Sequence, residues 1–202
     1  MTRRVLLVGI GVTVVLAAGV GLALLRSHGF STRTPPTAAE RVVAQAIRRW
    51  SVPAAMRHAI NPVPFSGDVW TAARAHFADH CAACHANDGS GHVEIGRNLY
   101  PRAPDMRLAD TQNLTDGEIY WIIENGVRLT GMPAWGDGGS DDVDTWKLVW
   151  FIRHLPHLTP QDVQIMKTLN PKTSSELEEE RQDQEFLGGQ NDTPTPTPDH
   201  HH

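Results

Sequence analysis

A run of five residues constrains this 202-residue chain more than any other feature: Cys81-Ala82-Ala83-Cys84-His85. The two cysteines are the only ones in the sequence, so no disulfide can form except between them. Two thiols three positions apart lie on the same side of a helix, and the next imidazole is one residue further along. The motif therefore predicts a helix that presents two thiols and an imidazole to one ligand.

Covalently attached haem is the ligand that best fits this spacing. The two thiols can add to the two vinyl groups of haem, while His85 reaches the iron. A thioredoxin-like redox pair would need a strand–helix context, and a zinc site would need two further ligands at a matching spacing. The sequence offers neither, so we predict one haem c held through Cys81 and Cys84.

A methionine in a rigid loop is the best candidate for the second axial ligand of the iron. Met132 lies within Thr130-Gly131-Met132-Pro133-Ala134-Trp135. Glycine and proline on either side keep this backbone out of a helix, so the thioether is presented by a fixed loop. Met106 is the rival candidate, and we assign it to packing because it follows His85 by a much shorter path.

The N-terminus contains an apolar run, Val5 to Leu25, that is interrupted only by Thr13. As a helix this run would be about 31 Å long, which matches the hydrocarbon core of a bilayer. A cleaved secretory signal, ending near Val15-Leu16-Ala17, is the alternative, although it would leave much apolar chain behind. We expect a single-pass membrane anchor.

Charge is distributed unevenly along the chain. Residues 1–65 contain eight arginines and one acidic residue, whereas residues 66–160 contain seven basic and thirteen acidic ones. An acidic folded region has no cationic face for nucleic acid, so we expect no nucleic-acid partner. A basic partner protein suits this charge better.

Between the apolar run and the haem motif, residues 26–37 are typical of a linker, and Ala38 to about Ala59 form a basic helical pattern broken near Ser51-Val52-Pro53. Two interpretations of this helix stay open. It lies against lipid headgroups, or it is a solvated spacer, because its arginines do not form one clean stripe.

Further helices are indicated by periodicity and capping signals. Trp70, Ala73, Phe77 and the two cysteines recur at three- and four-residue intervals, which predicts a helix from Asp68. The other signals are a capping box at Thr115 to Glu118 closed by Asn125-Gly126, a helix from about Asp141 to His154, and an N-cap with an N1 proline at Thr159-Pro160 that opens a helix to Leu169. Beyond Leu169 we expect an acidic tail that is disordered or loosely helical.

Residues from about 67 to 158 resemble the class I monohaem cytochrome c domain, in the small bacterial form found beside oxidases and periplasmic dehydrogenases. Three features support the resemblance: the cysteine–histidine motif, Gly131-Met132-Pro133-Ala134-Trp135, and a Trp-rich last helix ending in Phe151-Ile152-Arg153-His154-Leu155. It implies an all-α fold of three to five helices wrapped around one haem, here with an N-terminal transmembrane helix.

The resemblance also assigns roles to individual residues. Cys81 and Cys84 would form thioethers, His85 would be the proximal ligand and Met132 the distal one. Pro104 would lend its carbonyl to His85, and Trp135 would donate its indole N–H to a haem propionate or simply pack. Ala86 stands where the family often has glycine. The helix before the haem motif should cross the last helix, with Trp70 and Phe77 against Trp146 and Trp150.

These inferences predict a single-electron carrier that is not an enzyme. Its redox partners would be an oxidase, a dehydrogenase or another cytochrome of a respiratory chain. It would be fixed to the bacterial cytoplasmic membrane with the haem domain on the periplasmic side, where this family attaches haem. Two alternatives stay open: a haem-based sensor or peroxidase-like enzyme with a displaceable Met132, and a fixed subunit of a dehydrogenase or oxidase complex.

The expected organisation has four parts. Residues 1–25 form the membrane anchor and residues 26–65 the basic linker with a membrane-proximal helix. Residues 66–160 form the haem domain, and residues 161–202 form the acidic tail, largely disordered.

Overall fold

The computed structural model of the protein describes residues 3–28, 31–137, 139 and 141–189. Every regular element in that part of the chain is helical, so the prediction of an all-α fold is confirmed. In chain order the α-helices are α1 (Arg3–His28), α2 (Ala38–Ser51), α3 (Ala54–Arg57), α4 (Gly67–His76), α5 (Ala82–His85), α6 (Glu94–Asn98), α7 (Ala109–Gln112), α8 (Asp116–Asn125), α9 (Val143–His154), α10 (Pro160–Leu169) and α11 (Ser174–Gly189). A π-helical turn (Phe77–Cys81) joins α4 to α5, and a 3-10 turn (Leu155–His157) comes after α9.

Helix α1 contains the predicted membrane span. It is long and apolar enough to cross a bilayer, and the large apolar side chains between Val5 and Leu25 are exposed. An apolar helix that buries none of these side chains against protein is suited to lipid. Its length and composition are consistent with membrane anchoring.

The core of the folded domain is the crossing of α4 with α9. The Phe151 ring of α9 is fully buried, and its centroid lies 5.3 Å from that of Trp70 and 4.7 Å from that of Phe77. The two helices therefore cross as the resemblance implied. The α9 residue that contacts both rings is Phe151, where the resemblance named Trp146 and Trp150. Trp146 stacks on Tyr120 of α8 at 4.2 Å, and the Trp150 indole donates to the Val63 carbonyl at 2.7 Å.

Helix α8 packs on α9 and begins and ends where its local signals predict. Thr115 and Glu118 form the expected reciprocal capping box, and Gly126 ends the helix with a φ of 64°. Arg153 near the end of α9 pairs with Asp116 at 2.8 Å and donates to the Gln112 carbonyl at 2.7 Å. This arginine ties the last turn of α9 to the first turn of α8.

Residues 52–65, which the sequence assigned to the basic linker and membrane-proximal helix, pack on the domain. Val52 is 2% exposed, and the Asn61 side-chain amide donates to the Trp146 carbonyl at 2.8 Å. The Phe65 ring meets Trp150 edge-on at 5.5 Å. The packed unit therefore begins at Val52, ahead of residue 66.

Helix α10 also belongs to the packed unit, because Met166 is fully buried in the core. Thr159 and Asp162 form a capping box, with Pro160 in the first turn as predicted. Helix α11 is exposed along the side chains described, and Arg181 pairs on its surface with Glu178 and Glu185. The last part of the predicted tail, residues 190–202, lies outside the described residues.

The close approach of the segment before α4 to helix α8 yields a stability prediction. A Cβ at Gly117 would lie 1.7 Å from the Met56 carbonyl oxygen, so Gly117→Ala must push the segment before α4 away from α8. We expect the free energy of unfolding to fall by about 1–3 kcal/mol, measured by guanidinium denaturation followed by far-UV circular dichroism. Gly67→Ala is the matched control, because Gly67 also lies in a first helical turn but nothing is within 4 Å of its Cβ position. An equal loss in both variants would contradict this account.

Candidate haem-binding site

The thiols and the imidazole lie at the end of one continuous helical stretch. Cys81 is the last residue of the π-helical turn, and Cys84 and His85 are in α5. A π turn contains one extra residue, and so it rotates the next helical turn relative to the preceding helix. Because of this rotation, Cys84 and His85 in α5 do not continue the face of α4 that packs on Phe151.

The environment of Cys81 does not suit thiolate chemistry. Cys81 and Cys84 are both partly buried free thiols. Burial, with a smaller contribution from Cys84, raises the pKa of Cys81 to about 12. A thiol with so high a pKa stays protonated and is a poor redox nucleophile. Within the described part of the chain, no group of three or more histidine, cysteine, aspartate or glutamate side chains could hold a metal ion.

The surroundings of the His85 imidazole at the helix end favour its neutral form. Burial lowers its pKa, and the Pro104 carbonyl opposes this shift from close to the ring. Its Nδ1 is fully buried, and no residue in the described ranges makes a hydrogen bond of full geometry to it. A neutral imidazole is the form that binds a metal. The Pro104 carbonyl is near enough to orient the ring.

Glycines allow the next loop of the chain to wrap directly around this helix end. The Gly91 N–H donates to the His85 carbonyl at 2.8 Å. A Cβ at Gly96 would lie 2.1 Å from the Cys84 carbonyl oxygen, and one at Gly91 would lie 2.5 Å from the Ala103 carbonyl oxygen. The loop backbone therefore forms a tight cradle that side chains would fill.

An ion-pair cluster closes the same loop. Arg107 contacts Asp105 at 2.7 Å and Asp88 at 3.0 Å. The hydrogen bonds from Arg107, the largest cause, hold the pKa of Asp105 below its usual range. Met106 is 7% exposed, its N–H donates to the Gly89 carbonyl at 2.8 Å, and it belongs to the core. These contacts are those of a packing residue.

Met132 lies in a loop fastened to the end of α8. Its carbonyl accepts from the Val127 N–H at 3.0 Å, and its N–H donates to the Thr130 hydroxyl oxygen at 3.1 Å. Further along, the backbone N–H of Trp135 donates to the Ile123 carbonyl at 3.0 Å. The partly buried side chain of Met132 thus extends from backbone that is held on both sides by hydrogen bonds.

Two contacts join the Met132 loop to the haem-motif side of the domain. A Cβ at Gly131 would lie 2.5 Å from the Leu99 side chain. Trp135, 46% exposed, stacks on His80 with 5.5 Å between ring centroids. His80 also contacts Asp79 at 3.3 Å, so its ring is engaged away from the thiols. The loop and the helix end therefore belong to one structural unit.

Sequence reasoning missed one buried carboxyl group beside this loop. Glu124 is 1% exposed, and neither oxygen of its carboxyl group has a hydrogen-bond partner among the described residues. A Cβ at Gly136 would lie 1.7 Å from one of these oxygens. The helical pattern of α8 cannot distinguish Glu124 from an exposed glutamate, because Glu124 is buried by the loop that contains Gly136.

Comparison with known families identifies the region that contains these features. Residues 68–152 match the family model described as cytochrome c oxidase, cbb3-type, subunit III. The matched region includes both cysteines, His85 and Met132, and it runs from the start of α4 nearly to the end of α9. No curated protein matches the chain significantly.

The residue after the motif yields a second stability prediction. Ala86 has a φ of 60°, a left-handed conformation that favours glycine. Ala86→Gly should remove this strain and raise the free energy of unfolding by about 1 kcal/mol. Ala83→Gly, inside α5 at an exposed position, should lower it by about 1 kcal/mol. Denaturant unfolding of the two variants checks the opposite signs, and a shared sign would refute the strain at Ala86.

Proposed function

Because residues 68–152 form a cytochrome c domain similar to that of cbb3-type oxidase subunit III, which implies haem-based electron transfer, we propose that this protein is a membrane-bound carrier of single electrons. A haem c, when bound, supplies one-electron exchange between ferric and ferrous iron. The residues described above fit such a group.

The end of α5 is the observation on which the proposal rests. Cys81 and Cys84 lie within one turn of the buried neutral His85, and the Gly91 and Gly96 backbone closes around them. Cys81 and Cys84 would hold the haem through thioethers, and His85 would bind its iron. The Pro104 carbonyl orients His85 and raises the basicity of its ring.

Met132 is proposed as the distal ligand. Its loop is fixed by the hydrogen bonds at Val127 and Thr130, so the backbone that carries the thioether is held in place before any ligand binds. A second protein ligand leaves no position at the iron for substrate, which favours a carrier over a sensor or peroxidase. Methionine also stabilises the ferrous state and gives a relatively high potential.

Trp135 is proposed to donate its indole N–H to a haem propionate. The ring is half exposed and stacked on His80, and among the described residues its indole N–H has no acceptor. A propionate is an acceptor that suits such a partly exposed donor. The stacking on His80 would hold the indole in place.

The redox partners are proposed to be proteins of a membrane oxidase or dehydrogenase complex. The family name refers to an oxidase subunit, and α1 would keep the domain at the same membrane. Residues 66–160 have an excess of acidic residues, which suits a partner with a basic docking face. We place the haem domain on the outer side of the bacterial cytoplasmic membrane.

Covalent attachment of haem is the first prediction of the proposed function. Haem should stay with the polypeptide after denaturation and acid–organic extraction, because thioethers survive both treatments. The double variant Cys81→Ala/Cys84→Ala should release any haem it binds into the organic phase. Recovery of all haem in the organic phase from the unaltered chain would overturn the proposed function.

Ligation by Met132 is the second prediction. Met132→Ala should open one coordination position, so the oxidised protein should lose the iron–thioether charge-transfer band and gain high-spin character. It should also bind carbon monoxide in its reduced form, and its reduction potential should fall as ferrous stabilisation is lost. Visible spectroscopy and a redox titration measure these changes.

Met106→Leu is the control for this experiment. Met106 is a buried core residue, so the exchange should cost less than about 1.5 kcal/mol of stability and leave the spectrum unchanged. A coordination change in the Met106 variant alone would move the distal ligand to Met106. No change in either variant would favour the sensor or enzyme alternative.

A further inference from the structure

Helix α2 exposes its apolar side chains. Val43, Ile47 and Trp50 are spaced at i, i+4 and i+7, so they share one face, and their exposed fractions are 56%, 58% and 83%. No residue of this helix is buried. A surface helix of a globular protein normally turns such a face toward the core.

The polar side of α2 that contains Gln45, opposite the apolar face, contacts the domain. The Gln45 amide donates to the Asp110 carboxylate at 3.5 Å. In the first turn, at the edge of the apolar face, the Tyr100 hydroxyl donates to the Glu40 carboxylate at 3.3 Å. Arg48 is only partly exposed, on the same side as Gln45, and the charge of Asp110 acts on its guanidinium. The helix is therefore inverted: polar contacts hold it to the domain, and its apolar face points away.

The position of α2 in the chain indicates what covers this face. Helix α1, which is suited to a membrane, ends at His28, and α2 begins at Ala38. The nine intervening residues span at most about 30 Å, so α2 cannot leave the vicinity of the bilayer surface. The apolar face is thus available where α1 enters the membrane.

The composition of α2 also matches the headgroup region. Arg41 and Arg49 are basic and exposed, whereas Glu40 is the one acidic residue of the helix and is engaged by the Thr37 cap and by Tyr100. Arginines attract anionic lipids, and an exposed tryptophan favours the membrane–water interface. A purely solvated spacer would need neither Trp50 nor the valine and isoleucine beside it.

We propose that α2 lies in the plane of the membrane interface on anionic lipid, with Val43, Ile47 and Trp50 in the acyl boundary and the haem domain on its polar face. Tyr100 and Asp110, which hold α2, are at the two ends of the loop that contains Pro104. The side of the domain with the Pro104 loop therefore faces the bilayer. This orientation goes beyond electron transfer and does not depend on it.

The test uses the full-length chain in lipid nanodiscs whose acyl chains are brominated and so quench nearby tryptophans. The signal of Trp50 is the difference in fluorescence between the unaltered chain and Trp50→Phe. In nanodiscs of phosphatidylcholine with phosphatidylglycerol, bromination should reduce this signal severalfold. The double variant Val43→Ser/Ile47→Ser should restore most of it.

Ile60→Ser is the matched control, since Ile60 is 85% exposed but lies outside α2, and this variant should leave the quenching intact. Absence of Trp50 quenching in the unaltered chain, or quenching that survives Val43→Ser/Ile47→Ser, would overturn the proposal. Equal quenching in nanodiscs of phosphatidylcholine alone would refute the part of the proposal that requires anionic lipid. Shielding of Trp50 from aqueous iodide only after a membrane protein complex is added would assign the face to a protein partner instead.

Discussion

The contact of Phe151 with Trp70 and Phe77 is the interaction on which the rest of the domain depends. Phe151 is fully buried between the two rings, and it fixes the crossing of α4 and α9. Aromatic side chains of this size contribute a large share of core stability. Because the π-helical turn begins at Phe77, the same contact holds the junction between α4 and the turn that leads to α5.

Features determined by local chemistry were predictable from the sequence. The capping box at Thr115, the N-cap at Thr159 and the left-handed Gly126 lie where the signals indicated, because each depends on hydrogen bonds within a few residues. The break between α2 and α3 was likewise marked by Pro53. The π-helical turn was not predictable, since its residues fit an ordinary helical period and only the packing on both sides selects the wider turn.

Features determined by contacts distant in sequence were not predictable. The segment with Val52, Asn61 and Val63 was assigned to the basic linker and membrane-proximal helix, because it lies outside the part of the chain that resembles the haem domain. Its attachment depends on the Asn61 amide and the Trp150 indole, which form hydrogen bonds between residues 85 and 87 positions apart. No periodicity within the segment encodes such bonds. The burial of the Glu124 carboxyl group and the outward direction of the apolar face of α2 could not be predicted from the sequence for the same reason.

The two halves of the candidate site come from different parts of the chain, and their relative position has a structural cause. The helix end with His85 is closed by the loop before α7, whereas Met132 lies beyond α8. Leu99 against Gly131 and His80 against Trp135 join the halves directly, and the Ile123 carbonyl holds the loop from behind. A helix C-terminus leaves its last carbonyls without intrahelical partners, so α8 can accept hydrogen bonds from a loop at no cost to its own bonds. The Met132 loop is therefore held in two ways: by its internal hydrogen bonds at Val127 and Thr130, and by the carbonyls of Ile123 and Glu124 that α8 leaves free where it ends.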